Sequence, residues 1–190
     1  LGVAIAVTVF IVSLTVSNGL KKNMINSLLT MSPHILVKNK KSKFFDNYEG
    51  TVENVKKIKG IKAVIPQMNS QSILKGNGLA KGVLADGISP ENVKNGLNLK
   101  IVDGNNNISE LNSVLIGEQL AAEMKLKVGK EISIVSAENK EIKLIVRGIF
   151  KTGSLDYDSN LVIVPLEAMQ ILSDQGKVAT EIGVKIEHPE

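Results

Sequence analysis

The chain has 190 residues, a formal net charge of +4 and no Cys, which excludes disulfides, thiolate metal sites and a Cys nucleophile. Lys supplies nearly all of the basic residues, and a single Arg, no Trp and 3% aromatic residues argue against a nucleic-acid-binding protein, because such proteins combine Arg with stacking aromatics. About 170 residues follow the apolar N-terminal stretch, enough for one domain or two small lobes.

Residues 1–20 contain no Asp, Glu, Lys or Arg, and their only polar side chains are small. A helix of about 20 residues is about 30 Å long, which is the hydrocarbon thickness of a bilayer. Val, Ile and Thr dominate the stretch; they form helices poorly in water but are common in lipid-embedded helices. We therefore predict a transmembrane helix, and we expect further residues upstream because the chain lacks an initiator Met.

Two alternatives to a membrane span fit the stretch less well. A cleaved signal peptide would end in a small-x-small site, whereas here SNGLKKNMINSLLTM continues the helical pattern. A buried core helix would usually be shorter. The charges of Lys21 and Lys22 do not by themselves fix the orientation of the span.

Residues 20–31 are predicted to carry the helix beyond the span, since apolar residues recur there at three- and four-residue spacing until Ser32-Pro33. A helix over residues 1–31 would be about 46 Å long and would leave about 16 Å above the bilayer as a stalk. Within the span, one stripe faces either bulk lipid or a cavity; it consists of Val9, Val12, Val16 and Leu20.

The pattern of residues 34–107 predicts a first lobe whose elements are, in order, a strand, a helix, further strands and a short helix. Ser89-Pro90-Glu91 is typical of a helix start, and Gly60 and Gly96 of helix ends. The predicted elements are a strand at 34–38, a helix carrying Phe45, Tyr48, Val52 and Val55, strand segments at 61–67 and 69–75, a turn at 76–78, a strand at 79–87, a short helix at 90–95 and a loop at 103–107.

A second lobe begins at residue 113. Its predicted elements are a strand at 113–117, a helix at 118–124, a turn at Gly129, two strands at 131–136 and 142–150 joined by AENKE, a polar loop at 152–160, a buried strand at 161–165, a helix from Pro165 to near Gly176 and a half-buried strand at 180–187. The order lacks a regular strand–helix–strand rhythm, so we predict an α+β fold with mixed or antiparallel sheets.

No pattern in the sequence predicts catalysis, a cofactor or a bound metal. His34 and His188 lie far apart and in no zinc-binding spacing, so His34 is interpreted as a strand-start residue. No Gly-rich loop matches a P-loop or a dinucleotide fingerprint. Asp156 and Asp158 could begin a calcium loop, but no further acids follow at the required spacing, and turn or helix capping is favoured.

Three motifs follow one another along the chain. The first is LTVSNGL with KKNMINSLLTMSPHILV, through Asn18, Gly19, Ser32, Pro33 and His34. The second is IGEQLAAEMKLKVGKEISIV, in which Lys130 stands where the family named below usually has Asp. The third is VRGIFKTGSLDYDSNLVIVPLEAMQIL, through Gly148, Ile149, Phe150, Gly153, Tyr157, Asp158, Pro165 and Leu166. Residues 61–92 fit more loosely. Together these motifs resemble the lipoprotein-releasing ABC transporter permeases, the LolC/LolE family.

The resemblance implies an α+β fold in which an N-terminal transmembrane helix is followed by a two-lobed MacB-like periplasmic core domain. The implied divisions are a transmembrane helix and stalk at 1–31, a porter-like α+β lobe at 32–110, a β-rich inserted lobe at 111–165 and a return to the porter-like lobe at 166–190. The protein would lie in the inner membrane with residues 32–190 in the periplasm, and the remaining FtsX-like membrane helices would follow residue 190.

The resemblance also implies a function and partners. The chain would be a non-catalytic permease subunit of an ABC transporter that releases lipoproteins from the inner membrane towards a periplasmic carrier. Its partners would be a cytoplasmic ATPase subunit, a second permease copy or paralog, the lipoprotein and the carrier. No cofactor is expected in this chain.

Two sets of residues would carry this function. The lipid- or lipoprotein-facing set is Val9, Val12, Val16, Leu20 and Met24, and the carrier-facing turn is Glu138, Asn139 and Lys140. LolC-type members carry a Pro-containing hook between the two strands of the second lobe, whereas the link at 136–143 is short and has no Pro. In this respect the chain resembles a LolE-type partner or a more distant permease.

Two other functions stay open. A MacB-like or FtsX-like permease would share the fold and would export peptides or toxins, or signal mechanically across the envelope. A single-pass anchored binding or sensor domain would have no transport role. Three further apolar spans after residue 190 would exclude the sensor, and an ATPase domain fused upstream would favour the MacB-like permease.

Overall fold

A computed structural model of the chain describes residues 2, 7–15, 33–97 and 99–186. Residues 7–15 are helical, and no helix within the described ranges is both long and apolar enough to cross a membrane. The predicted stalk at 20–31 and half of the predicted span lie outside the described residues. The transmembrane helix therefore stays a prediction.

The described domain alternates strands with short helices. In chain order the elements are β1 (Ile35–Lys38), α1 (Tyr48–Lys56), β2 (Ile61–Gly76), β3 (Leu79–Ile88), α2 (Pro90–Asn95), β4 (Lys100–Gly104), β5 (Ser113–Gly117), α3 (Glu118–Glu123), β6 (Glu131–Val135), β7 (Glu141–Lys151), α4 (Leu155–Asn160), β8 (Leu161–Pro165), α5 (Leu166–Ser173) and β9 (Glu181–Ile186).

Six strands close into a ring, because each pairs with two neighbours in the order β2, β3, β8, β5, β7, β6 and back to β2. The pairs β3–β8 and β5–β7 are parallel, and the other pairs of the ring are antiparallel. Outside the ring, β9 pairs with the first part of β2, β1 pairs with β9, and β4 pairs with β7. The fold is a mixed-sheet α+β domain, as predicted.

Alternate residues of all six ring strands fill the interior, since successive side chains of a strand point to opposite faces. The helices α3 and α5 add apolar side chains to the same cluster. Its strand members include Met68, Leu74, Val83, Ala85, Val114, Ile116, Ile132, Ile134, Leu144, Val146, Val162 and Val164, and its helix members include Leu120, Met169 and Leu172.

A second apolar cluster lies on the outer face of the ring. Leu115, Phe150 and Ile163 are fully buried there, and they pack with Val93 of α2. Helix α2 thus covers strands that would otherwise expose their outward-facing residues, and β5 and β8 are buried on both faces.

Several element predictions are confirmed. Ser89 is the N-cap of α2, and its Oγ accepts from the backbone N of Asn92 at 3.4 Å. The predicted turn at 76–78 joins β2 to β3, with φ of 50° at Asn77 and 75° at Gly78. Gly129 also has a positive φ, 84°, in its predicted turn.

Other element predictions were wrong. Helix α4 occupies most of the predicted polar loop at 152–160. Strand β4 was not predicted, and Asp103 and Gly104 belong to it rather than to a loop. Residues 61–76 form one strand instead of two segments. Strand β9, predicted to be half-buried, is buried at each of its first four residues, so both of its faces are covered there. It lies between β1 and β2 in the sheet.

Candidate functional site

The predicted lipid-facing stripe is only partly described. Val9 and Val12 lie on the helical segment 7–15 and are exposed. Val16, Leu20 and Met24 lie outside the described residues. The structure therefore does not test whether these residues form one stripe, and the stripe stays a prediction.

The three residues predicted to face a carrier lie together on the turn between β6 and β7. The backbone N of Ser136 donates to the carbonyl of Lys140 at 2.8 Å, and the backbone N of Asn139 donates to the carbonyl of Ser136 at 3.0 Å. Asn139 has a φ of 64°, a conformation that Asn adopts more readily than most residues. Residues 137–140 are exposed. The turn is tight and presents its side chains to solvent.

The link between the two strands is shorter than predicted. Strand β7 begins at Glu141, so the turn comprises residues 136–140 rather than 136–143. Ile142 pairs with Ile134 and Lys143 pairs with Ser133. Residues 141–143, the end of the predicted link, are therefore part of the paired strand β7.

An ion pair ties this turn to the end of α5. The Lys140 Nζ lies 2.6 Å from Asp174 Oδ2, and the hydrogen bond from Lys140 lowers the pKa of the Asp174 carboxyl. Asp174 closes α5 in the left-handed conformation, with a φ of 58°. Since both side chains are exposed, the pair contributes little to the stability of the fold.

A small cleft opens beside the turn. Met68 and Met169, both buried, lie at its base, and Lys43 and Glu138 line it with opposite charges. Most of the other residues that line the cleft are polar, so it can offer hydrogen bonds and charges to a partner protein. The predicted carrier-facing residue Glu138 thus lines a concave surface.

Sequence reasoning missed a buried polar cluster across β9, β2 and β3. The cluster consists of Gln67, Asn69, Asp86 and Glu181, and the register places Glu181 opposite Gln67 and Asn69 opposite Asp86. Gln67, Asp86 and Glu181 are 4%, 7% and 8% exposed. Lys38 of β1 lies opposite Glu181, with 3.3 Å between Nζ and Oε2.

Hydrogen bonds orient both amides of the cluster. Gln67 Nε2 donates to Asp86 Oδ2 at 3.3 Å, and Asn69 Nδ2 donates to Glu181 Oε1 at 2.7 Å. The oxygens Gln67 Oε1, Asn69 Oδ1 and Asp86 Oδ1 have no hydrogen-bond partner in the described part of the chain. The cluster therefore holds more acceptors than donors.

Burial raises the pKa of Asp86 to about 7, and the neighbouring charge of Glu181 raises it as well. A proton on Asp86 supplies the donor that the cluster lacks. The signal in the sequence was a lone Asp inside the apolar pattern of β3. A strand with both faces covered removes such a carboxyl from water, and Asp is rarely buried unless it has a partner.

Two of the family-like motifs meet at Gly117 and Asp158. A Cβ at Gly117 would collide with the backbone carbonyl of Asp158, so the helices α3 and α4 approach there only because residue 117 is Gly. The Asp158 carboxylate accepts from Thr152 N at 2.7 Å, from Thr152 Oγ1 at 2.8 Å and from Gly153 N at 3.2 Å. Asp158 thus holds the loop before α4, which confirms the predicted turn role, whereas the N-cap of α4, Ser154, makes no side-chain capping bond.

The described ranges contain no group of three or more acids or His that could hold a metal. His34 is bound into the sheet, since its Nδ1 accepts from the backbone N of Ile186 at 3.0 Å. This contact confirms that His34 begins the edge of the sheet.

Two solved structures share the fold. The crystal structure of the extracellular domain of the noncanonic ABC-type transporter YknZ from Gram-positive bacteria has a TM-score of 0.59 at 15% identity, over 80% of this chain and 82% of that one. The periplasmic region of MacB from Actinobacillus actinomycetemcomitans has a TM-score of 0.55 at 17% identity, over 73% and 64%. The class of fold is thus that of these two transporter domains.

The family model of the MacB-like periplasmic core domain matches residues 1–190. The chain belongs to this family, as the three motifs predicted.

Curated relatives carry the name lipoprotein-releasing system transmembrane protein LolC. The protein from Neisseria meningitidis serogroup B is 25% identical over 206 residues, covering 100% of this chain and 48% of the relative. The protein from Buchnera aphidicola subsp. Schizaphis graminum is 23% identical over 201 residues, covering 100% and 50%. The resemblance to the LolC/LolE permeases is confirmed, and the chain spans about half the length of these relatives.

Proposed function

We propose that the chain is the N-terminal part of a permease subunit of an ABC transporter that releases lipoproteins from the inner membrane. The main support is similarity to proteins named LolC along the whole chain. The uncharged stretch at 1–20 supports anchoring in the inner membrane, with the described domain in the periplasm.

The physical demand of this task explains the proposed arrangement. Each acyl methylene moved from lipid into water costs about 0.8 kcal/mol, so a lipoprotein with two or three chains needs a sheltered path and an energy source. The stripe Val9, Val12, Val16 and Leu20, with Met24 above it, supplies one apolar wall of that path. A second permease copy or paralog supplies the facing wall.

The energy source lies on another subunit in this proposal. The sequence has no P-loop, so a cytoplasmic ATPase subunit hydrolyses ATP and this chain transmits motion through the stalk. The chain itself is non-catalytic and uses no cofactor. A periplasmic carrier, if it docks on this permease, meets the exposed turn with Glu138, Asn139 and Lys140.

Site-specific photocrosslinking in membranes tests the proposal. Probes are placed one at a time at Val9, Val12, Val16 and Leu20, and matched control probes at Ile11 and Leu14 lie on the opposite side of the same helix. We expect crosslinks to acylated lipoproteins along the stripe only, and we expect them to disappear when the lipoprotein is made without its acyl chains. Probes that trap only bulk lipid or other helices would contradict lipoprotein release.

A MacB-like or FtsX-like permease for peptide or toxin export, or for mechanical signalling, is the second candidate. The observation that favours it is the turn at 136–140, which has five residues and no Pro-containing hook. In that case the stripe probes would crosslink no lipoprotein, and purified complexes would move peptides instead.

A further inference from the structure

Five lysines lie around one end of the sheet, near the loop between α1 and β2. Lys56 ends α1, Lys57 and Lys59 follow in the loop, Lys62 is the second residue of β2, and Lys185 is the penultimate residue of β9. The first four are exposed. We call these five lysines the basic edge.

No ion pair in the described part of the chain neutralises the four exposed lysines of the basic edge. Burial lowers the pKa of the Lys185 ammonium, and the charge of Lys62 lowers it further. Like charges are therefore held close together, and a bound anion would relieve their repulsion. Residues 49–62 contain four lysines but only two acids, Glu49 and Glu53.

The strand register places the basic edge where the chain enters the domain. Ile61 at the start of β2 pairs with Ile186 at the end of β9, and His34 before β1 accepts a hydrogen bond from Ile186. The residues before His34 lead back to the uncharged stretch at 1–20. The basic edge thus lies at the end of the domain that is joined to that stretch.

An exposed apolar residue sits among these charges. Ile58 is 58% exposed between Lys57 and Lys59, and Gly60, with a φ of 88°, turns the chain into β2. Lysines around an exposed aliphatic side chain are typical of a segment on an anionic membrane surface, because the ammonium groups pair with phosphates while the apolar group enters the headgroup layer.

We propose that the basic edge rests on anionic phospholipid headgroups of the bilayer that anchors residues 1–20. The inference rests on the proposed membrane anchoring. At physiological salt, exposed charges attract one another within a screening length of about 8 Å, so the lysines bind headgroup phosphates only when the basic edge lies directly on the headgroup layer.

The test places a fluorophore on the protein in lipid nanodiscs that contain a quencher on the lipid headgroup. The chain has no Cys, so Ile58→Cys allows labelling of this chain at one position. Leu79→Cys is the matched control. Leu79 is 46% exposed and begins β3, where it pairs with Gly76 at the far end of β2, about 50 Å along that strand from its start. The discs contain phosphatidylcholine alone or phosphatidylcholine mixed with phosphatidylglycerol.

We expect phosphatidylglycerol to raise quenching of the probe at 58 at least about twofold, and high salt to reverse the rise. The triple variant Lys56→Gln, Lys57→Gln, Lys59→Gln should lose the rise. The charge-matched control Lys125→Gln, Lys127→Gln, Lys130→Gln should keep it, and the probe at 79 should respond to neither lipid.

Equal quenching at 58 in both lipids, or equal loss of the rise in both triple variants, would overturn the proposal while leaving membrane anchoring intact. Failure of the protein to enter the discs at all would overturn the anchoring and, with it, this inference.

Discussion

Asp86 has a carboxyl group that the fold removes almost completely from water. Its pKa rises from the model-compound value of 3.8 to about 7 because of burial first and the charge of Glu181 second. At a pH between these two pKa values, the folded chain keeps a proton on Asp86 that the unfolded chain has released. The stability that this proton contributes is complete below about pH 4 and is lost as the pH rises through about 7.

Replacing Asp86 by Asn keeps the shape of the side chain and removes the titration. We expect the free energy of unfolding of the wild type to fall, relative to that of the Asp86→Asn variant, by up to about 4 kcal/mol between pH 4 and pH 8. Urea unfolding followed by circular dichroism at both pH values measures the difference. Asp103→Asn, an exposed site on β4, is the control and should follow the wild type. Parallel pH profiles for the wild type and Asp86→Asn would contradict the proposed titration.

Asp158 is a second buried carboxylate, and both of its oxygens accept hydrogen bonds, three in all. We expect Asp158→Ala to lower the free energy of unfolding by about 1–3 kcal/mol, because Thr152 and Gly153 lose their acceptor. The exposed neighbour Asp156 provides the matched control, and Asp156→Ala should change stability little. Equal denaturation midpoints for the two variants would show that the Asp158 bonds contribute nothing measurable.

At the scale of elements, the local sequence predicts where a helix begins more reliably than it predicts whether a helix forms. The residues Ser89-Pro90-Glu91 cap and begin α2. Ser89 accepts from a free backbone N–H, Pro90 has no N–H to satisfy and a φ that suits the first helical position, and Glu91 complements the positive end of the helix. Helix α4 was missed because LDYDSN lacks an apolar stripe. Its partners, β5 and α3, are distant in sequence, and the Asp158 bonds hold its first turn.

The cap of α2 can be tested by graded substitution. Ser89→Ala should destabilise the fold by about 0.5–1 kcal/mol, at the low end for N-caps because the bond to Asn92 is long at 3.4 Å. Ser89→Asp should restore stability, since its carboxylate can accept the same bond and complements the helix dipole. Thermal unfolding of the three proteins measures the order, and an Asp variant no more stable than the Ala variant would argue against a capping role.

For the whole molecule, the decisive feature is the ring of six strands. The strands β5 to β8 lie within residues 113–165, but β2 and β3 complete the ring. Met68, Leu74, Val83 and Ala85 from β2 and β3 fill part of the same interior. The division into a porter-like lobe and an inserted lobe at 111–165 stays a prediction, and the ring draws strands from both ranges.

This arrangement predicts the behaviour of fragments. A peptide of residues 111–165 should not fold, because without β2 and β3 its strands leave the ring open and its apolar interior in water. A chain of residues 33–186 should fold. Amide proton dispersion in NMR spectra distinguishes the two, and a well-dispersed spectrum from the 111–165 peptide would show that the inserted range is independent of β2 and β3.

By itself the sequence determined most of the strands, the short helices α2 and α3, the absence of disulfides and the resemblance that led to the family. These depend on local patterns: alternation, capping residues and Gly at turns. The tertiary structure alone decided that β4 and α4 exist, that the strands close into a ring, and that Asp86 lies beside Asn69 and near Glu181. Those features depend on pairing between strands far apart in the chain, and no local pattern carries the register that brings such residues together.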